Sequence, residues 1–162
     1  MVPPAQVSEV GRALARVATN VAVVTTRGPR GCTANVWAED PDPPVVLVTL
    51  RRGGDTHRAV ADTGVFGVSL LSTDQVGLAR RFAGPPERRF AGLQGETGPL
   101  GLVLLPGSLA VFECRVRGVH DFGAYDIVVG DVETVEVGEG GTPLVFADRR
   151  FGQVVALGEA AP

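Results

Sequence analysis

The sequence predicts a mainly β domain: an antiparallel barrel with a few short helices at its periphery. Three observations lead there. β-Branched apolar runs recur as VAVVTT from Val21, VVLVTL from Val45 and VFGVSLL from Val65, and such runs read as buried strands. Turn sequences such as RGPRG at 27–31 return the chain at short intervals, as hairpins do. Helical patterns are too few to follow nearly every strand, which a parallel doubly wound sheet requires.

In order, Val7, Val10, Leu14 and Val17 fall three or four residues apart and form one apolar stripe of a short helix over about 6–17. A strand at 21–26, the turn, and a second strand at about 32–38 make a hairpin. The proline-studded EDPDPP at 39–44 breaks the pattern before a strand at 45–50. Asp55 is placed to cap the helix THRAVADT, and Gly64 to close it in the left-handed conformation. After a strand at 65–71, Ser72 and Gln75 form a capping box for a helix carrying Leu78, Ala79 and Phe82. The Gly- and Pro-rich stretch 84–107 reads as a long surface excursion. Three more strands are expected at 109–119, 124–137 and 143–146.

A chain of 162 residues suffices for one domain with a proper core and is too short for two ordinary ones, so 1–162 is read as a single domain. Its apolar share of 44% and charged share of 20% describe a globular chain, not a disordered one. A net charge of −3 argues against nucleic acid as a partner. No apolar run approaches the roughly 20 residues that span a bilayer. The first residues, MVPPAQVSEVGRALARV, carry charges where a secretory signal has an apolar core. No membrane association and a cytoplasmic location are therefore expected. Cys32, Cys114, His57 and His120 make no set at metal-ligand spacing, so no metal is expected. Both thiols read as buried and inert.

The segments THRAVADTGVFGVSLLSTDQVGLARRFAG at 56–84 and LAVFECRVRGV at 109–119 lie between VAVVTT and DIVVGDVETVEV. In order and spacing they resemble the short-chain flavin reductase family, whose domain is an FMN-binding split barrel. The likeness runs from about residue 12 to 155. It implies a homodimer in which each flavin lies in a groove lined mainly by one subunit and closed by the other. It also implies oxidation of NADH or NADPH, with reduced FMN or FAD passed to a separate flavin-dependent monooxygenase.

The resemblance assigns residues as well. Gly31-Cys32-Thr33-Ala34-Asn35 matches the family's G-x-T-A-N stretch along the ring, which puts Thr33, Ala34 and Asn35, followed by Val36 and Trp37, against the flavin. Small residues there let backbone approach a planar ligand. Arg51, Gly53, Gly54 and Thr56 fall at the family's phosphate loop. Glycines before a helix N-terminus expose N–H groups, and arginine adds charge. The family's serines are missing, Asp55 would repel phosphate, and the same residues suit a loop that only caps a helix. Arg89 and Phe90 match a segment that reaches the flavin tail in relatives, and an exposed arginine pair is also an ordinary loop feature.

Two departures stand out. Val36-Trp37-Ala38-Glu39 replaces the family's Ser-Phe-x-Ser, and Ala124-Tyr125 replaces its Asp-His. Tyr125 keeps an aromatic face and one hydroxyl for a nicotinamide, which makes it the candidate catalytic residue, but it cannot act as an imidazole would. Two other readings stay open: a pathway enzyme whose cleft takes an organic substrate with flavin kept or lost, and a non-catalytic flavin-binding module.

Overall fold

The structure, a computed structural model, describes residues 4–39 and 42–158, and the side chains of residues 4–8, Val7 of the expected apolar stripe among them, and of Glu39 lie outside what it describes. In chain order the elements are α1 (Pro4–Ala15), β1 (Thr19–Asn20), β2 (Ala22–Thr26), β3 (Arg30–Ala34), β4 (Val36–Glu39) and β5 (Val45–Arg51). Next come α2 (Asp55–Thr63), β6 (Val65–Leu70), a 3-10 turn (Thr73–Gln75), α3 (Val76–Ala83) and α4 (Pro86–Arg89). Then follow β7 (Glu96–Thr97), β8 (Val103–Leu104), β9 (Ala110–Phe122), β10 (Tyr125–Val137), β11 (Leu144–Ala147) and β12 (Arg150–Gln153).

Seven strands form one antiparallel sheet in the order β3-β2-β6-β9-β10-β5-β4. Its two edges, β3 and β4, are consecutive in the chain and are joined by Asn35 alone. A sheet whose opposite edges stand one residue apart must curl back on itself. The result is a barrel left split along a seam at Asn35, in agreement with the expected class.

That seam corrects the single strand expected at 32–38. Ala34 pairs with Ala22, whereas Val36 pairs with Val48 on the far edge. The Asn20 carboxamide holds the step: its Nδ2 donates to Val36 O (2.6 Å), and Val36 N–H donates to its Oδ1 (3.0 Å). Asn20 thereby stands in for a strand neighbour. Residues 32–38 suit a strand throughout, so nothing local marks the change of partner.

Strand alternation sends Val46, Val48 and Leu50 of β5 inward, where they meet Phe66, Val68, Cys114 and Val128. Gly130 makes room for Phe66, since a Cβ there would come within 2.4 Å of Phe66 Cζ. A fully buried ring of this size contributes about 1.5–3 kcal/mol. A second cluster, with Val23, Leu71, Ala79, Phe82 and Leu105, packs α3 against the barrel. Phe90 meets Phe82 edge-to-face at 5.1 Å.

Gly64 takes the expected left-handed cap, φ +68°, and the Ser72–Gln75 capping box forms. Asp55 does not cap: Gly54 is the N-cap residue, and Asp55 lies 4.0 Å from Arg30 instead. The stretch 84–107 is more than a surface excursion. It carries α4, β7 and β8, and buries Leu102 and Leu105. Thr25 Oγ1 donates to Val103 O (2.7 Å), and the buried Glu113 carboxylate accepts from Leu100 N–H (2.9 Å). β1 and β12 escaped sequence reading because runs of two and four residues are too short for a period to register. Among the described residues no helix is long and apolar enough to cross a membrane.

Candidate functional site

The bend between β5 and α2 is shaped by its glycines. Gly53 sits at φ +74°, where a side chain would be strained, and Gly54 N–H closes the turn on Arg51 O (3.1 Å). The first helical bond of α2 runs from Arg58 N–H to Gly54 O (3.0 Å). The N–H groups of residues 55–57 therefore lack intrahelical acceptors, as at any helix start. Thr56 Oγ1 is buried without a hydrogen-bond partner. The residue lines a cavity of about 310 Å³ together with Cys32, Arg51, Gly54, Asp55, His57 and Arg89. Arg89 is fixed there, Nε donating to Gly84 O (2.9 Å) and Nη1 to Gly31 O (2.8 Å). Burial pushes the Cys32 thiol up, offset in part by the neighbouring Thr56 hydroxyl, which does not reach the sulfur in hydrogen-bond geometry, and by the Arg89 charge, so no thiolate opposes an anion in this cavity. Against the one carboxylate, Asp55, which lies 4.0 Å from Arg30, stand an orphan hydroxyl, helix-start N–H groups and arginines, a set that suits a phosphate.

A second cavity, of about 300 Å³, opens at the seam between Thr33, Ala34, Asn35, Thr49, Ala83 and Tyr125. Small side chains and the rings of Tyr125, Phe146 and Phe151 bound it, so a flat ring can lie close to backbone on one side and to aromatic surface on another. Thr33 turns its hydroxyl away to Ala79 O (2.7 Å) and thereby pins α3 beside the slot. Neighbouring residues line the two cavities: Cys32 precedes Thr33, Leu50 follows Thr49, and Tyr125 pairs with Arg51 across the β5–β10 ladder. The seam cavity is uncharged and the bend cavity carries hydrogen-bond donors and arginines, the two environments that a flavin ring and its phosphate require.

Beneath Tyr125 lies a charged cluster. Asp126 faces Asp121 across the β9–β10 hairpin, and Arg52 bridges them, Nη2 lying 2.5 Å from Asp126 Oδ1 and 2.7 Å from Asp121 Oδ2. Gly53 N–H donates to His57 Nδ1 (3.3 Å), so the ring proton sits on Nε2 and reaches Asp126 Oδ2 (2.6 Å). Arg52, and then His57, hold the Asp126 carboxyl below the usual carboxylate range. Asp121 is lowered first by the Gly123 N–H and then by Arg52.

The structure thus brings Thr33, Ala34, Asn35 and Tyr125 together in one cavity, and Arg51, Gly54, Thr56 and Arg89 in another. Phe90 borders a neighbouring cavity with Arg89 and packs mainly in the core. Val36 is buried in the barrel, Trp37 is 61% exposed on the outer face, and Gly53 directs its N–H to His57. Thr49, Ala83, Cys32, Arg52, His57 and Asp126 were not singled out as site residues from sequence. One signal was available: Asp121 and Asp126 flank the turn Gly123-Ala124, so two carboxylates must face each other and call for a cation. Both cysteines are free, with Cys114 fully buried and its thiol pushed up to about 12, mainly by burial. Among the described residues no cluster of metal-ligating side chains forms.

Residues 14–155 match the family described as Flavin reductase like domain. The chain belongs to the flavin reductase-like family. It is 37% identical over 155 residues to the actinorhodin polyketide dimerase of Streptomyces coelicolor, covering 93% of this chain and 88% of that one. It is 35% identical over 147 residues to the reductase component of 4-hydroxyphenylacetate 3-monooxygenase from Thermus thermophilus, covering 88% and 93%. Among solved structures it superposes on the NADH:FAD oxidoreductase SgcE6 of Streptomyces globisporus C-1027, in complex with NAD and FAD fragments. That match has a TM-score of 0.88 and 28% identity, and covers 98% and 99% of the two chains.

Proposed function

We propose that this flavin reductase-like protein oxidises NADH or NADPH and supplies reduced FMN or FAD to a separate flavin-dependent monooxygenase. The observation that carries the reading is the pair of cavities, an uncharged slot at the seam and, lined by residues next to it in the chain, a second cavity bordered by Thr56, whose buried hydroxyl has no partner in the protein.

Each residue then has a task. Thr33, Ala34, Asn35 and Ala83 bound the slot for the ring. Thr56, the N–H groups that start α2, Arg51 and Arg89 hold the phosphate. Tyr125, 46% exposed at the slot, presents its aromatic face to the nicotinamide and excludes water from that side. Bound flavin supplies the hydride acceptor. Hydride transfer requires no protein acid or base at the moment of transfer, so Ala124-Tyr125 in place of an Asp-His pair is compatible with turnover.

A homodimer completes the site in this reading. Trp37, Leu47, Ile127 and Val129 lie on the outer face of β4, β5 and β10, the face that also carries Thr49 and Tyr125. An apolar outer face beside an open slot suits a second copy that covers both. One domain spanning 1–162 and a cytoplasmic location, where reduced nicotinamide is available, belong to the same reading.

Incubation of purified protein with FMN or FAD and NADH or NADPH, following loss of the nicotinamide absorbance, tests it. Turnover with at least one pair is expected. No turnover under any of the four combinations overturns it.

A further inference from the structure

The bend at 51–54 and the turn at 123–124 lie far apart in sequence, yet several contacts tie them together. Arg52 N–H donates to Ala124 O (3.0 Å), and the Arg52 guanidinium spans Asp126 (2.5 Å) and Asp121 (2.7 Å). His57 completes the link between Asp126 (2.6 Å) and Gly53 N–H (3.3 Å). Asp126 is buried and lines neither cavity. Its neighbour in sequence, Tyr125, projects to the opposite face and lines the ring slot, whereas Gly54 and His57 line the tail cavity. Ionised partners and fixed geometry make such a set stiff. A shift of the bend must either break these contacts or carry the hairpin turn with it.

We propose that Asp126, acting through Arg52 and His57, is a positioning residue that couples the phosphate-binding bend to the Tyr125 hairpin, so that filling the tail cavity fixes the aromatic at the ring slot. The proposal rests on the reductase reading for the meaning of the two cavities, but its first test needs no turnover.

Hydrogen exchange of the full chain is measured with and without inorganic phosphate. In the unaltered protein, phosphate is expected to slow exchange at 53–57 and also at 121–126. In Asp126→Asn the first effect persists and the second disappears. An unaltered protein in which 121–126 does not respond, or an Asp126→Asn protein in which it still does, overturns the coupling and leaves the reductase reading standing. Failure of phosphate to protect 53–57 removes the tail site and the proposal with it. Should Asp126→Asn not fold, Arg52→Gln, which removes both guanidinium bridges and lines neither cavity, is measured in the same way, and a response at 121–126 that persists there likewise overturns the coupling. A kinetic cycle gives the second readout: Thr56→Val and Tyr125→Ala should be non-additive in kcat/KM by on the order of fivefold, and additive once Asp126 is Asn. Additivity in both backgrounds also overturns it.

Discussion

The cavity at the seam and the cavity at the bend are built on opposite principles. At the seam the walls are short side chains and aromatic rings, and the Thr33 hydroxyl already donates to Ala79 O, so selection there rests on shape and on the backbone of Thr33–Asn35. At the bend the Thr56 hydroxyl and the N–H groups that start α2 remain without partners in the protein, so selection rests on charge and hydrogen bonding. In the proposed reading, one cavity takes a flat heterocycle of the right width and the other takes an anion.

Comparing FMN with riboflavin, which lacks the phosphate, separates them. The largest effect is expected from Ala83→Trp, at the exposed end of α3, where an indole fills the slot and leaves the core alone. Affinity for both ligands should fall on the order of a hundredfold, because ring burial supplies most of it. Equal loss for the two, by fluorescence titration, would place the ring at the seam. Thr56→Val should then weaken FMN about tenfold and leave riboflavin unchanged, the size of a hydrogen bond to a charged group. An equal loss for riboflavin would show that Thr56 does not meet the phosphate. Added salt should weaken FMN roughly twofold through screening of the arginines, again sparing riboflavin.

The smallest effect is on stability. The folded-state pKa of Asp126 is depressed by Arg52 and His57. Its contribution is therefore present above the unfolded carboxylate value of about 3.9 and is lost as pH falls through the folded value. Thermal melts at descending pH should show the unaltered protein losing its advantage over Asp126→Asn below about pH 4. A gap between the two that does not narrow in acid would mean the carboxylate charge is not what stabilises the turn.

Much of this was legible in the chain because it is written locally. The strands at 21–26, 45–50 and 65–71 declare themselves by β-branched runs, and Gly64 and Ser72–Gln75 by cap chemistry that acts within four residues. Thr33, Asn35, Thr56 and Arg89 came from the resemblance, and the folded chain puts the first two at the seam cavity and the last two at the bend cavity. What stayed hidden depends on partners distant in sequence. The break at Asn35 is made by Asn20 and by Val48, and Arg52 finds its acceptors on the far side of a hairpin some seventy residues on. No window along the chain contains both halves of such pairs. The carboxylates that bracket Gly123-Ala124 are the exception, since a tight turn makes them neighbours by necessity.

The one-residue crossing at Asn35 has a further consequence. A strand presents alternate residues to opposite faces, so deleting Asn35 would slide β4 by one place along β5 and exchange its two sides. Trp37 would be driven into a barrel with no space for an indole, and Val36 would turn to water. Residue count at this junction is thus fixed as firmly as residue type, and an insertion tolerated in a surface loop would here turn the strand inside out.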